Sequence, residues 1–347
     1  MKKVYLYLAL AAMAVCGCAK SPTVGLNDAT KRYFDAWMQV NHPNATPTAL
    51  GSYIIESKEG TGAVAGDAET TPYVWTDYTI RTLDGTITES SSEAVAKQLG
   101  EYSAQDYFGP EVWQREGNAL PAGLDEVISS MRAGGSVKVI VPGWLQTNKR
   151  YGSQAEYLAN VSGSSASAIY EITLHELIRD EKKWEADSIG RYISHNFPGK
   201  SVLDSLRYGF YYFRTGAPSS DRVIPADTTV YINYTGRLLN GTVFDTNVKD
   251  TAKFYGLYSA TRSYGPTVVQ WYSSTSDDNG ESEDYRDIKL DSSDIIDGFA
   301  YALSQMHPHE KGTTIFYSGA GYMAAGSGDA IPGFSPLRFD IEIVDKP

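Results

Sequence analysis

Residues 78–88 read YTIRTLDGTIT, and residues 234–244 read YTGRLLNGTVF. Tyr, Thr, Arg, Leu, Gly and Thr recur at the same offsets, 156 residues apart. Each copy places two short β-type runs around a turn dipeptide, Asp84-Gly85 or Asn240-Gly241. Such dipeptides tolerate the positive φ that tight hairpin turns need. A matching hairpin in each half predicts a duplicated module of about 150 residues. Only the second copy continues into Phe244-Asp245, so the two copies are expected to differ in function.

The hairpins have matching surroundings. DATKRYFDAWMQVN (28–41) reads as a helix capped by Asp28, with Tyr33, Trp37 and Val40 on one side and His42-Pro43 ending it. EADSIGRYISHNFPG (185–199) precedes the second hairpin in the same way and also stops at a Pro. The repeat unit is therefore a helix plus a β-module, with a boundary in the charged run 179–183. In the first module GSYIIESKEGTG (51–62) reads as strand and turn, and the stretch after the hairpin as loose. GLDEVISSMRAGG (123–135) carries a helical stripe of Leu124, Val127, Ile128 and Met131, stopped by Gly134-Gly135. SVKVIV (136–141) alternates as a strand, and SAIYEITLHEL (167–177) sets Tyr170, Ile172 and Leu174 on one face. The second module repeats the order with GFYYF (209–213), the hairpin at 230–244, DIIDGFAYALSQM (294–306), TTIFY (313–317) and RFDIEIV (338–344). One short helix and about five antiparallel strands per module predict an α+β fold, each sheet twisted and curled around its helix.

The composition is that of an ordinary globular protein, 42% hydrophobic and 21% charged. Its 25 Tyr suit β-rich structure and aromatic-lined clefts. The net charge of −12 excludes nucleic acid as an expected partner, because phosphate binding needs clustered Lys and Arg. The N-terminus is more specific. Lys2-Lys3 precedes an apolar stretch, VYLYLALAAMAV (4–15), that is too short to span a bilayer. It ends in Val15-Cys16-Gly17-Cys18, which resembles a bacterial lipobox with Cys18 as the acylated residue. The expected organisation is a leader over 1–18, a tether over 19–27, a first module over 28–181 and a second over 182–347. The expected location is the bacterial cell envelope, lipid-anchored and at the outer membrane. A mature chain would then hold no Cys but the anchor, so neither disulfide nor thiol chemistry is expected.

YTGRLLNGTVFD, then IIDGF, then Gly321-Tyr322, Ala330-Ile331-Pro332 and FDIEI resemble the FKBP-type peptidyl-prolyl isomerase domain. The resemblance covers about 200–347 and, more weakly, 48–180. It implies a prolyl pocket between sheet and helix and no cofactor. Tyr234, Phe244, Asp245, Ile296, Phe299 and Tyr322 fall at its catalytic positions, and Ile295, Ile331 and Phe339 at its substrate-binding positions. The backbone N–H of Ile296 and the hydroxyl of Tyr322 would hold the substrate amide. Two departures stand out: Phe299 replaces the usual Trp of the pocket floor, and Arg286 falls near a normally aromatic position. In the first module Tyr78 is kept, but Thr88-Glu89 replaces Phe-Asp, Leu120-Pro121 the aliphatic pair, and Leu124 the floor aromatic. Pro121 has no N–H to donate. Tyr151 and Tyr170 remain in plausible places. The first module is expected to keep the fold and to be weak or dead as a catalyst.

The implied substrates are X–Pro bonds of unfolded or exported polypeptides, and the implied ligands are macrolides. The rival reading is a non-catalytic FKBP-like binding or chaperone lipoprotein. The stretch between Phe244 and Ile288 is longer than the family needs and is rich in aromatics, among them Phe254, Tyr255, Tyr258, Tyr264, Trp271 and Tyr272. Inserts there can hold unfolded chains. His307-Pro308-His309 reads as a solvent-exposed turn rather than a metal site, and SSTSDDNGESEDY (273–285) as a solvated loop that misses calcium-loop spacing.

Overall fold

The computed structural model describes residues 27–161, 165–200, 205–225, 228–271, 288–290 and 295–347. The leader with Cys18, residues 19–26 of the tether, Arg286 and the 273–285 loop lie outside the described residues.

The chain opens with α1 (Asp28–Asn41). Its buried side is Phe34 and Met38, one helical turn apart, while Tyr33 and Val40 face solvent. The expected stripe was therefore misplaced: the first core admits positions 34 and 38, and only Trp37 of the expected trio packs against it. Asn27 rather than Asp28 holds the cap position, and its side-chain amide donates to the Leu158 and Val161 carbonyls at 2.9 and 2.7 Å.

The first sheet comprises β1 (Tyr53–Lys58), β2 (Tyr73–Thr82), β3 (Ile87–Ser90), β4 (Glu111–Gln114), β5 (Gly135–Val141) and β6 (Ala168–Ile178). It is antiparallel in the order β1-β5-β6-β2-β3, and β4 pairs with the start of β2. Between strands lie α2 (Glu93–Leu99), α3 (Ala122–Ser130) and α4 (Gln154–Asn160). The α3 stripe of Leu124, Val127 and Ile128 is buried in the sheet, as read. The supposedly loose stretch holds α2 and β4, which escaped a periodicity reading because they are short. α2 buries only Ala96.

α5 (Glu181–Asn196), capped by the Asp180 carboxylate on the Lys183 N–H, leads to the second sheet. This sheet comprises β7 (Ser205–Arg207), β8 (Phe210–Gly216), β9 (Thr229–Leu238), β10 (Val243–Thr246), β11 (Thr267–Trp271), β12 (Ile288–Leu290), β13 (Lys311–Phe316) and β14 (Leu337–Val344). Its order is β12-β11-β9-β14-β13-β8-β7, with β10 on β9. α6 (Lys249–Phe254) follows β10, and α7 (Asp297–Ser304) packs on β13. α5 covers this sheet from outside, burying Ile189 and Ile193 with Tyr211, Phe213 and Ile315.

The two sheets share one plan. The path β1-β5-β6-β2 with β3 and β4 on the far edge matches β8-β13-β14-β9 with β10 and β11. Both hairpin turns close alike: Gly85 N–H donates to the Thr82 carbonyl, and Gly241 N–H to the Leu238 carbonyl, each at 3.0 Å. Their φ values of 93° and 96° are ones that Gly tolerates. These are two α+β modules built on one plan.

Candidate functional site

The site of the second module begins with a register irregularity. Along the β9–β10 hairpin Val243 faces Arg237 and Asp245 faces Gly236, so Phe244 is an extra, bulged residue. A bulge re-aims a side chain. Here the Phe244 ring is laid across Gly236, where a Cβ would come within 2.5 Å of that ring and 2.8 Å of Phe339. Glycine at 236 is therefore what lets the two rings meet over the strand. Phe244 and Phe339 meet edge to face at 5.5 Å, Phe299 and Phe339 at 4.8 Å, and Tyr234 and Phe299 at 5.7 Å. Edge-to-face rings at such separations add to their area burial.

Phe299 projects from α7 and is 3% exposed. Tyr234, Ile331 and Phe339 are also buried, and Phe244, Ile295, Ile296 and Tyr322 pack half-buried against the same core. The nine residues expected in the second module thus gather in one place, with Asp245 joining through Tyr234. Ile296 caps α7 with φ −62° and ψ 142°. Its N–H has no acceptor among the described residues.

The polar edge is a three-member chain. The Tyr234 hydroxyl donates to Asp245 Oδ2 at 2.8 Å, and Arg262 Nη1 meets Asp245 Oδ1 at 2.7 Å. Burial first, and the Asp245 carboxylate second, hold the Tyr234 phenol well above its ordinary range, so it remains a donor. Burial also raises the Tyr322 phenol, with Asp245 adding to the effect. Arg262 was missed by sequence reasoning. It lies on the loop between α6 and β11, and no local pattern marks it as the partner of Asp245.

The corresponding place in the first module is different in kind. The hairpin bulge recurs, with Thr88 as the extra residue and Ile80 where the second module has Gly236. The tyrosine–acid pair survives: the Tyr78 hydroxyl lies 2.9 Å from Glu89 Oε1. It also lies 3.2 Å from Glu111 Oε1, and one hydroxyl proton serves only one carboxylate at a time. Burial, partly offset by Tyr78, pushes the Glu111 carboxyl up. An acidic rim thus stands where the second module has Asp245 neutralised by Arg262. Leu124 is buried in the first core, and Pro121 caps α3 without an N–H. Tyr170 is buried with its hydroxyl on Gln146, and Tyr151 packs against Tyr157. A cavity of about 300 Å³ lies beside this rim. A second, open concavity of about 830 Å³ is lined chiefly by polar groups such as Lys58, Asp77, Lys138 and Glu171.

The long stretch after Phe244 is only partly an insertion. α6 and β11 have counterparts in α2 and β4, so the excess is the β11–β12 hairpin, whose residues 272–287 lie outside the described set. Tyr264 packs inward with Leu257, whereas Phe254 is 81% exposed and Tyr255 and Tyr258 are also open to solvent. In the 307–309 turn each histidine has its own carboxylate: His307 on Glu310 at 3.0 Å and His309 on Asp345 at 2.8 Å.

Residues 264–344 match the family model of the FKBP-type peptidyl-prolyl cis-trans isomerase. The matched stretch includes Ile295, Ile296, Phe299, Tyr322, Ile331 and Phe339, and begins after the Tyr234–Asp245 hairpin. A Macrophage infectivity potentiator of Trypanosoma cruzi is 24% identical over 156 residues, covering 45% of this chain. The chain spans 62% of the length of that curated relative. Among solved structures, the three FKBP domains of wheat FKBP73 are 16% identical, covering 85% of this chain and 94% of that one with a TM-score of 0.26. A peptidyl-prolyl cis-trans isomerase of Pseudomonas syringae pv. tomato is 23% identical, covering 47% of this chain and 94% of that one with a TM-score of 0.30.

Proposed function

We propose that this chain, whose C-terminal module is of the FKBP type, catalyses cis–trans exchange of X–Pro bonds in exported polypeptides through that module. The observation that carries the reading is the buried aromatic floor of Phe299 and Phe339, bordered by Tyr322, the capping N–H of Ile296 and the Tyr234–Asp245–Arg262 chain.

The reaction breaks no covalent bond. Its barrier, about 18–20 kcal/mol, is the double-bond character of the planar amide. A twisted amide has lost resonance and is less polar than the planar form, so an apolar basin favours it over the ground state. The prolyl ring enters over Phe299 and Phe339. Tyr322 Oη–H and Ile296 N–H donate to the substrate carbonyls and fix the group about which rotation occurs. Asp245, held on both oxygens, keeps the pocket edge in place. A thousandfold acceleration needs only about 4 kcal/mol of differential stabilisation. The first module has neither the floor aromatic nor the donor, and it is assigned a non-catalytic part. The 1–18 leader and Cys18 put the protein at the bacterial envelope under this reading.

The test is exchange of a proline peptide by the full chain, followed by NMR line-shape or protease-coupled kinetics, with a macrolide ligand of the family as competitor. Acceleration that the macrolide abolishes is expected. A folded chain that leaves the exchange rate at its buffer value would sink the isomerase reading. In that event the exposed Phe254 and Tyr258 favour the binding reading, tested by suppression of aggregation of an unfolded client.

A further inference from the structure

The segment carrying Tyr322 and Ile331 is a hairpin hung between β13 and β14. Ser327 and Ile331 pair across it, at 2.7 and 3.2 Å, with Gly328 and Asp329 at the tip. Its base is closed by the Phe334 N–H on the Met323 carbonyl at 2.8 Å. Met323 and Phe334 both have positive φ, 50° and 57°, a conformation that non-glycine residues adopt at a cost. Such a hairpin needs external support to keep one shape.

That support comes from outside its own sheet, at three points. Glu185 of α5, 1% exposed, accepts the Ser318 N–H and the Ser318 hydroxyl, each at 2.6 Å, and so pins the strand end from which the hairpin leaves. The Tyr73 ring of β2 meets Phe334 edge to face at 5.2 Å. At the tip, the Tyr107 N–H of the first module donates to the Asp329 carbonyl at 2.7 Å, and the Tyr107 ring packs against the core of the second module. The loop bearing Tyr107 is itself fixed: the Pro110 carbonyl accepts from the Tyr107 hydroxyl at 2.8 Å and from Trp75 Nε1 at 3.1 Å, and Gly109 N–H donates to Ser91 at 2.8 Å. Gly328, Asp329 and Pro332 of the hairpin line the same cavity as Tyr78, Glu89 and Glu111. The degenerate site of the first module thus opens onto the hairpin that carries the pocket of the second.

We propose that the first module and α5 act as a clamp that holds the Tyr322–Ile331 hairpin in its substrate-ready shape, with Tyr107 and Glu185 as positioning residues for the second module. The claim rests on the isomerase reading for its catalytic consequence. Its structural core, a hairpin held from outside, stands on the contacts alone. It gives the duplicated module a use that needs no catalysis of its own, and it makes the intact chain the active unit.

The experiment uses the full chain with Tyr107→Ala and Glu185→Ala, beside the conservative Tyr107→Phe and Glu185→Gln. Two quantities are read on each: kcat and KM for a proline peptide, and amide exchange across Met323–Phe334. Tyr107→Ala and Glu185→Ala are expected to speed exchange at Ser327 and Ile331 by about tenfold. They should lower kcat/KM by about fivefold, mostly through KM, while the thermal transition stays cooperative. Tyr107→Phe keeps the ring and Glu185→Gln keeps an acceptor for Ser318, so both should restore most of the wild-type behaviour. Unchanged amide exchange in both alanine variants would overturn the clamp. Faster exchange with unchanged kcat/KM would overturn its role in positioning. A wild-type chain with no isomerase activity would remove the catalytic reading alone, and the exchange data would still decide the clamp.

Discussion

Replacing Glu185 by Gln tests the energetics of the buried contact directly. Burial is the largest influence on this carboxyl and pushes it from an ordinary 4.5 up to about 7. The two hydrogen bonds from Ser318 pull it back, and Glu181 adds a smaller upward push. The folded-state value lies above the unfolded one, so between pH 4.5 and 7 the folded chain binds more protons than the unfolded chain. The contribution to stability is therefore complete below about pH 4.5 and is lost as pH rises through about 7. The shift of about 2.5 pH units corresponds to about 3 kcal/mol. Gln has the same shape, does not titrate, can accept the Ser318 N–H and can donate to the Ser318 hydroxyl. At pH 4.5 the two proteins should unfold at nearly the same urea concentration. At pH 8 the Gln variant should be the more stable by about 3 kcal/mol. The assay is urea unfolding of the full chain at half-unit steps from pH 4.5 to 8.5, followed by tryptophan fluorescence and far-ultraviolet circular dichroism. Stability profiles that stay parallel within about 0.5 kcal/mol would refute the reasoning, since they would mean Glu185 ionises as freely in the folded chain as in the unfolded one.

Three further outcomes are expected. Asp245→Ala leaves the Tyr234 hydroxyl and Arg262 without their shared partner and should lower kcat/KM for a proline peptide by about tenfold, with a small change in thermal midpoint. Phe299→Trp should preserve or raise affinity for a macrolide ligand in a calorimetric titration; a fall of about tenfold would show that the floor has closed around Phe. Cys18→Ser should move the protein from the membrane pellet to the soluble fraction, and continued pelleting of a processed chain would remove the lipid-anchor expectation.

Much of this fold was legible because its long elements repeat and bury clean stripes. The two hairpins, the α3 stripe of Leu124, Val127 and Ile128, and the alternating β14 run could be read directly. The site was legible wherever a residue sat in a motif of fixed spacing, as Ile295-Ile296 before α7 or Phe244-Asp245 after the turn. Three kinds of feature were not. α2 and β4 are too short for a period to emerge, and β4 is recognised only through its pairing with β2. The buried side of α1 was misassigned because the helix is amphipathic enough for two neighbouring stripes, and only the partner core selects Phe34 and Met38. Contacts between distant segments leave no local trace. Arg262 on Asp245, Glu185 on Ser318 and Tyr107 on Asp329 all bridge elements that periodicity treats separately.

The two modules keep one fold while their hairpin residues differ. The hairpin bulge is kept in both, so the backbone still offers the extra residue that would cover the cleft. In the second module that residue is Phe244 above Gly236; in the first it is Thr88 above Ile80. The exchange moves bulk from the bulge to the strand while leaving strand pairing intact. The tyrosine–acid pair is also kept, but Glu111 stands beside it instead of an arginine, turning a neutralised edge into an acidic one. Neither change touches the turn or the sheet order, which is why both modules retain the same topology. The first module presents Pro121 at the α3 cap and a cavity beside its acidic rim. Its Tyr107 loop meets the hairpin of its neighbour. The two modules thus share one plan and differ at the hairpin bulge, and the Tyr107 N–H on the Asp329 carbonyl joins them.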